Sequence, residues 1–136
     1  MCIRRIVLVL LVLTCSVGLA QAEWKAATSS SSGDFTLYVD PATIRTDQKN
    51  GLAKMWVLSD FKTVQKSSEG AYLSVRGLWH FDCKEERFRI SSASYFDGHM
   101  ANGDLVFNQT EGSWLPMPPG SISETLSALA CESGTP

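Results

Sequence analysis

The stretch Tyr72-Leu-Ser-Val-Arg-Gly-Leu-Trp-His-Phe-Asp-Cys83 decides the fold. Leu73, Val75, Gly77, Trp79, Phe81 and Cys83 fall on one side of an extended chain. Tyr72, Ser74, Arg76, Leu78, His80 and Asp82 fall on the other. Side chains alternate with period two along a strand. An apolar side kept through all twelve residues 72–83 therefore predicts a half-buried antiparallel strand with Cys83 on the core side.

Working outward, Lys84-Glu85-Glu86 reads as a charged turn, and residues 87–96 return as a partner strand with Phe88 and Ile90 turned inward. Residues 97–103 form a second turn and 104–108 a last short strand. On the other flank, residues 62–70 read as a polar connection. Before it, residues 52–61 carry Met55, Trp56, Val57 and Leu58 in succession, a strand covered on both faces. Asn50-Gly51 marks a hairpin turn over 47–51. Phe35, Leu37 and Val39 share one side of a strand over 35–39, which Asp40-Pro41 ends. Residues 23–28 form a short first strand with Trp24 turned to the core, followed by a serine-rich loop. Beyond Pro116, Pro118, Pro119 and Gly120 the period changes. Ile122, Leu126, Leu129 and Ala130 fall at i, i+4, i+7 and i+8 of a helix, opened by a capping box at Ser121 and Glu124. The expected fold is α+β: an antiparallel sheet of five or six strands with one C-terminal helix packed on its apolar face.

The first residues belong to a different problem. Arg4 and Arg5 precede the apolar run 6–13, and Ala20-Gln21-Ala22 has the small-x-small pattern of a signal-peptidase site. The apolar run is shorter than the roughly 20 residues of a spanning helix, so the expectation is a signal peptide over 1–22 and no membrane span. Lipid attachment at Cys15 is the alternative, but Thr14 stands where a lipoprotein signal wants Gly, Ala or Ser. Removing 22 of 136 residues leaves 114, one domain over 23–136. Its balance is 10 basic against 14 acidic residues, with no run of Lys or Arg, which disfavours nucleic acid and anionic lipid as partners. Of four cysteines only Cys83 and Cys131 remain, 48 residues apart. In an oxidising compartment such a pair is read most simply as a disulfide. The spacing excludes a CxxC motif, and with His80 and His99 the two cysteines make a poor zinc set, so no metal or cofactor is expected.

No catalytic constellation stands out. There is no Gly-x-Ser-x-Gly elbow, HExxH or glycine-rich phosphate loop. His80 and Asp82 share the polar side of the decisive strand. That spacing suits an acid–base pair and equally suits an exposed pair on a sheet. Asp97-Gly98-His99 lacks the further acids of a metal turn. Trp114, in the proline-rich segment with Met117, is the candidate partner contact, because tryptophan so often anchors interfaces.

Several segments taken in order resemble the surface-adhesin protein E family of Gram-negative bacteria. They are Trp24, the run Tyr38–Arg45, the run Met55–Phe61, Tyr72-Leu73-Ser74 leading to Phe81-Asp82-Cys83, Arg87-Phe88-Arg89-Ile90, Trp114, Pro119-Gly120-Ser121 and Cys131. The resemblance implies the same sheet-and-helix fold and a Cys83–Cys131 disulfide. It also implies a non-enzymatic exported domain, in the periplasm or at the outer membrane or cell surface. Its implied partners are host extracellular-matrix or serum proteins such as vitronectin and laminin. The alternatives are a periplasmic carrier with a cavity between sheet and helix, an envelope domain of another role, and a hydrolase using His80 and Asp82. Open sheet edges also admit a second copy of the chain, making a homodimer.

Overall fold

The computed structural model describes residues 22–132. The signal peptide expected over 1–22, its last residue excepted, and the lipid alternative at Cys15 lie outside the described residues. One antiparallel sheet contains β1 (Lys25–Ser29), β2 (Phe35–Val39), β3 (Arg45–Asp47), β4 (Leu52–Ser67), β5 (Gly70–Asp82), β6 (Arg87–Phe96), β7 (Leu105–Thr110) and β8 (Leu115–Pro116). The spatial order is β1-β2-β4-β5-β6-β7; β3 pairs with β4, and β8 with β6. Among the described residues one α-helix, α1 (Ile122–Glu132), follows the strands. The sequence expectation of five or six antiparallel strands and one C-terminal helix matches this path of six, with β3 and β8 as short additions.

Register explains the core. Val39 pairs with Val57, Met55 with Trp79, and Ala53 with Phe81, which in turn pairs with Phe88. These residues share one side of the sheet, and α1 lies across it with Leu126 and Ala130 fully buried against them. Met55 and Phe81 are also fully buried. Each such side chain contributes about 1.5–3 kcal/mol by leaving water. Cys83, just past β5, is bonded to Cys131 in the last turn of α1, with sulfurs 2.08 Å apart and Cα atoms 6.0 Å apart.

Three expectations are corrected. Residues 62–70 are not a loop: β4 continues to Ser67 and β5 begins at Gly70, so Ser68 and Glu69 alone join them. Ser67 Oγ donates to the Gly70 carbonyl at 2.7 Å and accepts from Glu69 N at 3.2 Å, closing the turn. A hairpin that projects beyond the core has no apolar side, so its polarity imitates a connection; even Val64 is 54% exposed. Second, α1 is turned relative to the expected stripe. Ser123, Leu126, Ser127 and Ala130 are buried while Leu129 is 40% exposed. At about 100° per residue, Leu129 lies roughly 110° from the centre of that buried stripe. The disulfide holds the Cys131 side of the helix toward the sheet, bringing Ser127, one turn earlier, inward with its Oγ 3.5 Å from Cys131 Sγ. Half of the capping box forms: Glu124 N donates to Ser121 Oγ at 3.2 Å, while Ser121 N donates to the Pro118 carbonyl. Third, Trp24 does not face the core. Lys25 pairs with Val39, a core-side position, so the preceding residue points the other way. Trp24 lies beside Trp56 and Arg76.

The helix-free side is partly covered too. Leu58 is fully buried there, and the short turn His99–Ala101 folds back over β4 and β5. Ser74 Oγ donates to the Gly98 carbonyl at 2.6 Å and accepts from Ala101 N at 2.9 Å. Asp60 Oδ1 accepts from Met100 N at 2.9 Å. These bonds hold Met100 and Ala101 at φ 57° and 58°, left-handed values that non-glycine residues seldom adopt.

Candidate binding surface

Trp114 reaches its position through β8. Leu115 pairs with Phe88 on the helix side of the sheet, so Trp114, one residue earlier, falls on the helix-free side beside Arg87. Gly112 makes the approach possible, because a Cβ there would collide with the Ile90 carbonyl oxygen. The guanidinium carbons of Arg87 and Arg89 lie 4.9 and 5.4 Å from the centre of the Trp114 ring, which is half-buried under them. Arg76 repeats the arrangement nearby, 5.8 Å from Trp56 and 5.3 Å from Phe96. Such cation–π contacts are worth about 0.5–1 kcal/mol where exposed, and tryptophan and arginine together are the side chains that most often dominate interface energies. Met117 is elsewhere. It packs on the core cluster and lines a depression with Cys83, Pro119 and Cys131 on the helix side. The two residues expected as one contact therefore lie on opposite sides of the sheet.

The strand register assembles something the linear sequence conceals. Arg45 pairs with Lys54, Lys54 with His80, and His80 with Arg89, so four basic side chains from β3, β4, β5 and β6 form one row across the helix-free face. A β-bulge adjusts its far end. Trp79 pairs with Ile90 but Leu78 with Ser92, leaving Ser91 as the extra residue on β6. Ser91 Oγ lies 2.8 Å from His80 Nε2. Burial, then the neighbouring charges of Arg89 and Lys54, push the His80 pKa below its ordinary value. No signal in the sequence marks this row, because its members come from four separated segments. Only pairing partners reveal it.

His80 and Asp82 do not act together. Asp82 accepts from Lys84 N, from Glu85 N and from Arg87 Nε at 3.1–3.2 Å, closing the turn after β5. Its pKa is lowered chiefly by the Glu85 N–H, with Arg87 and the Lys84 N–H adding to the effect. His99 pairs with Asp60 at 3.2 Å. Among the described residues no group of three or more His, Cys, Asp or Glu side chains is placed to hold a metal. On the helix side, beyond the reach of α1, an open groove of about 500 Å³ is lined by Trp79, Phe88, Ile90, Ala93 and Tyr95. Tyr95 stacks on Phe107 with ring centres 4.0 Å apart, and burial raises its pKa. Among the described residues no helix is long and apolar enough to cross a membrane.

The fold is shared with known proteins. The chain is similar to the crystal structure of protein E from non-typeable Haemophilus influenzae, with 11% identity, TM-score 0.57, and coverage of 85% of this chain and 79% of that one. It is similar to the selenomethionine form of the Haemophilus influenzae protein, with 11% identity, TM-score 0.59, and coverage of 83% and 88%. It is also similar to crystal form II of that protein, with 12% identity, TM-score 0.58, and coverage of 84% and 94%. At this identity the likeness speaks for the fold alone. No curated protein sequence matches the chain. The family described as surface-adhesin protein E matches residues 24–132, nearly all of the sheet and helix described above, and the chain belongs to that family.

Proposed function

We propose that this is an exported, non-enzymatic adhesin-like domain that binds host matrix or serum proteins through the helix-free face of its sheet, with Trp114 as the central contact. One observation carries the reading: Trp114, Arg87 and Arg89 converge on the face that α1 leaves open, on a strand scaffold that fixes them. Tryptophan and arginine held by a rigid sheet lose little conformational freedom on binding. Family membership supports an adhesive role. Export, cleavage after Ala22 and a single domain over 23–136 belong to the same proposal, as does the function of the Cys83–Cys131 bond as an extracytoplasmic staple.

The test is equilibrium binding of residues 23–136, disulfide intact, to immobilised vitronectin and laminin. Saturable binding to either, weakened by Trp114→Ala at unchanged melting temperature, supports the reading. Absence of saturable binding to both counts against it.

A further inference from the structure

We infer that the row Arg45, Lys54, His80 and Arg89 is a docking site for an anionic polysaccharide, a chain bearing sulfate or carboxylate groups along an extended backbone. The inference goes beyond the protein-contact reading and stands on a different row of residues, sharing with it only Arg89 and the adjacent Trp114.

The row lies across four neighbouring strands. With strands about 4.8 Å apart it spans roughly 14 Å. No acidic side chain interrupts it. Arg45 and Lys54 are like charges placed directly opposite each other, which weakens a sheet, while the imidazole of His80 separates them from Arg89; an anionic ligand would offset that cost. The acids nearest in register, Asp47 and Asp82, occupy the next row and are committed to their own turns. Asp47 accepts from Asn50 N and Nδ2, and Asp82 accepts from Lys84, Glu85 and Arg87. Arg89 adds a second sign of incomplete satisfaction: its Nε is buried with no hydrogen-bond partner. At the other end Arg45, Lys54 and His80 line a shallow depression of about 270 Å³ with Asp47 and Leu52. General basicity does not account for the row, because residues 23–136 carry 10 basic and 14 acidic side chains.

The geometry also selects the class of polyanion. Apart from Arg45 on β3, which pairs with β4 alone, the row lies on β4, β5 and β6, each with partners on both edges. Their backbone N–H and C=O groups are engaged in the ladder, so a peptide adding itself as a strand finds none there. Recognition must come from side-chain charge, which a charged sugar chain supplies without backbone pairing. Trp56 lies two residues from Lys54 on the same face, and Trp114 sits against Arg89. Both rings are partly covered by arginines, and the surface they leave exposed lies beside the row, where a sugar ring can pack.

The experiment titrates residues 23–136, disulfide intact, with dextran sulfate, polygalacturonate, uncharged dextran, polyglutamate and duplex DNA at low and moderate salt. Saturable binding to dextran sulfate or polygalacturonate is expected, weaker at higher salt and accompanied by a higher melting temperature, with none to uncharged dextran. The stronger of the two identifies sulfate or carboxylate as the recognised group. Lys54→Glu sets a carboxylate between Arg45 and His80, so its melting temperature should hold or rise while affinity for the polysaccharide falls roughly tenfold. Lys25→Glu makes the same change in net charge on β1 and should leave affinity within about twofold. The inference is overturned by absence of binding to both charged polysaccharides, by equal losses in the two variants, or by tighter binding to polyglutamate or DNA. Because matrix-protein binding is read separately, either proposal can fail while the other stands.

Discussion

His80 shows how a residue's neighbours set its response to pH. Arg89 on β6 and Lys54 on β4 flank it, Arg45 lies beyond Lys54, and Ser91 holds its Nε2. Its folded pKa is depressed, against about 6.5 in an unfolded chain. The unfolded state therefore takes up the proton first as pH falls. His80 is neutral in both states well above pH 6.5, and stability is lost progressively as pH drops below about 6.5 toward the folded value. Thermal melts between pH 7.5 and 5 should show a steeper decline in the parent protein than in His80→Gln. Parallel declines would contradict the arrangement. The helix offers a second comparison at this scale. Leu126→Ala should cost about 2–5 kcal/mol by opening a cavity in the core, whereas Leu129→Ala should cost roughly 0.5 kcal/mol or less, both read by urea denaturation. The sequence made Leu126 legible as core through its helical spacing, and the same spacing misassigned Leu129. What it lacked was the angle at which the Cys131 link turns the helix, which brings Ser123 and Ser127 inward instead. Likewise the partner of His80 was hidden, since a bulge at Ser91 cannot be seen in a pattern of alternation.

At the scale of elements, the long strands were legible because alternation persists where one side is buried. The period-two run 72–83 became most of β5, and 87–96 became β6 without change of bounds. The hairpin joining β4 to β5 and the two-residue β8 were not legible: the first lacks an apolar side, and the second is defined by its pairing with Arg87 and Phe88 rather than by composition. Two elements depend on single small contacts. Gly112 lets the chain pass against Ile90, so Gly112→Ala must push the segment carrying Trp114 off β6. A cost of about 1–3 kcal/mol is expected, with a change in Trp114 fluorescence that a distant destabilising substitution would not cause. The turn over the helix-free face depends on Ser74, which serves Gly98 and Ala101 together. Ser74→Ala strands both groups and should cost about 1–3 kcal/mol, with faster amide exchange confined at first to residues 97–103.

Taken whole, the molecule assigns its two sheet faces to different tasks. One is closed by α1 and stapled through Cys83–Cys131; the other is left to side chains that β8 and the strand register place. Closing a 48-residue loop stabilises a chain by about 4 kcal/mol in the entropy model. Cys131→Ser should therefore lower stability by about 2–4 kcal/mol, with α1 the first element to lose exchange protection. The pairing of faces with tasks was only half legible in the sequence. The covered face announces itself as an apolar pattern, while the open face is a set of scattered Arg, Lys, His and Trp residues until register unites them. The most direct measurement compares binding to immobilised vitronectin and laminin by variants on the two faces at matched melting temperature. Arg89→Glu and Trp114→Ala on the open face should each weaken binding about tenfold or more, while Leu115→Ser and Leu129→Ser on the helix side should leave it unchanged. Loss confined to the helix-side variants, with the open-face variants binding as the parent does, would contradict the account.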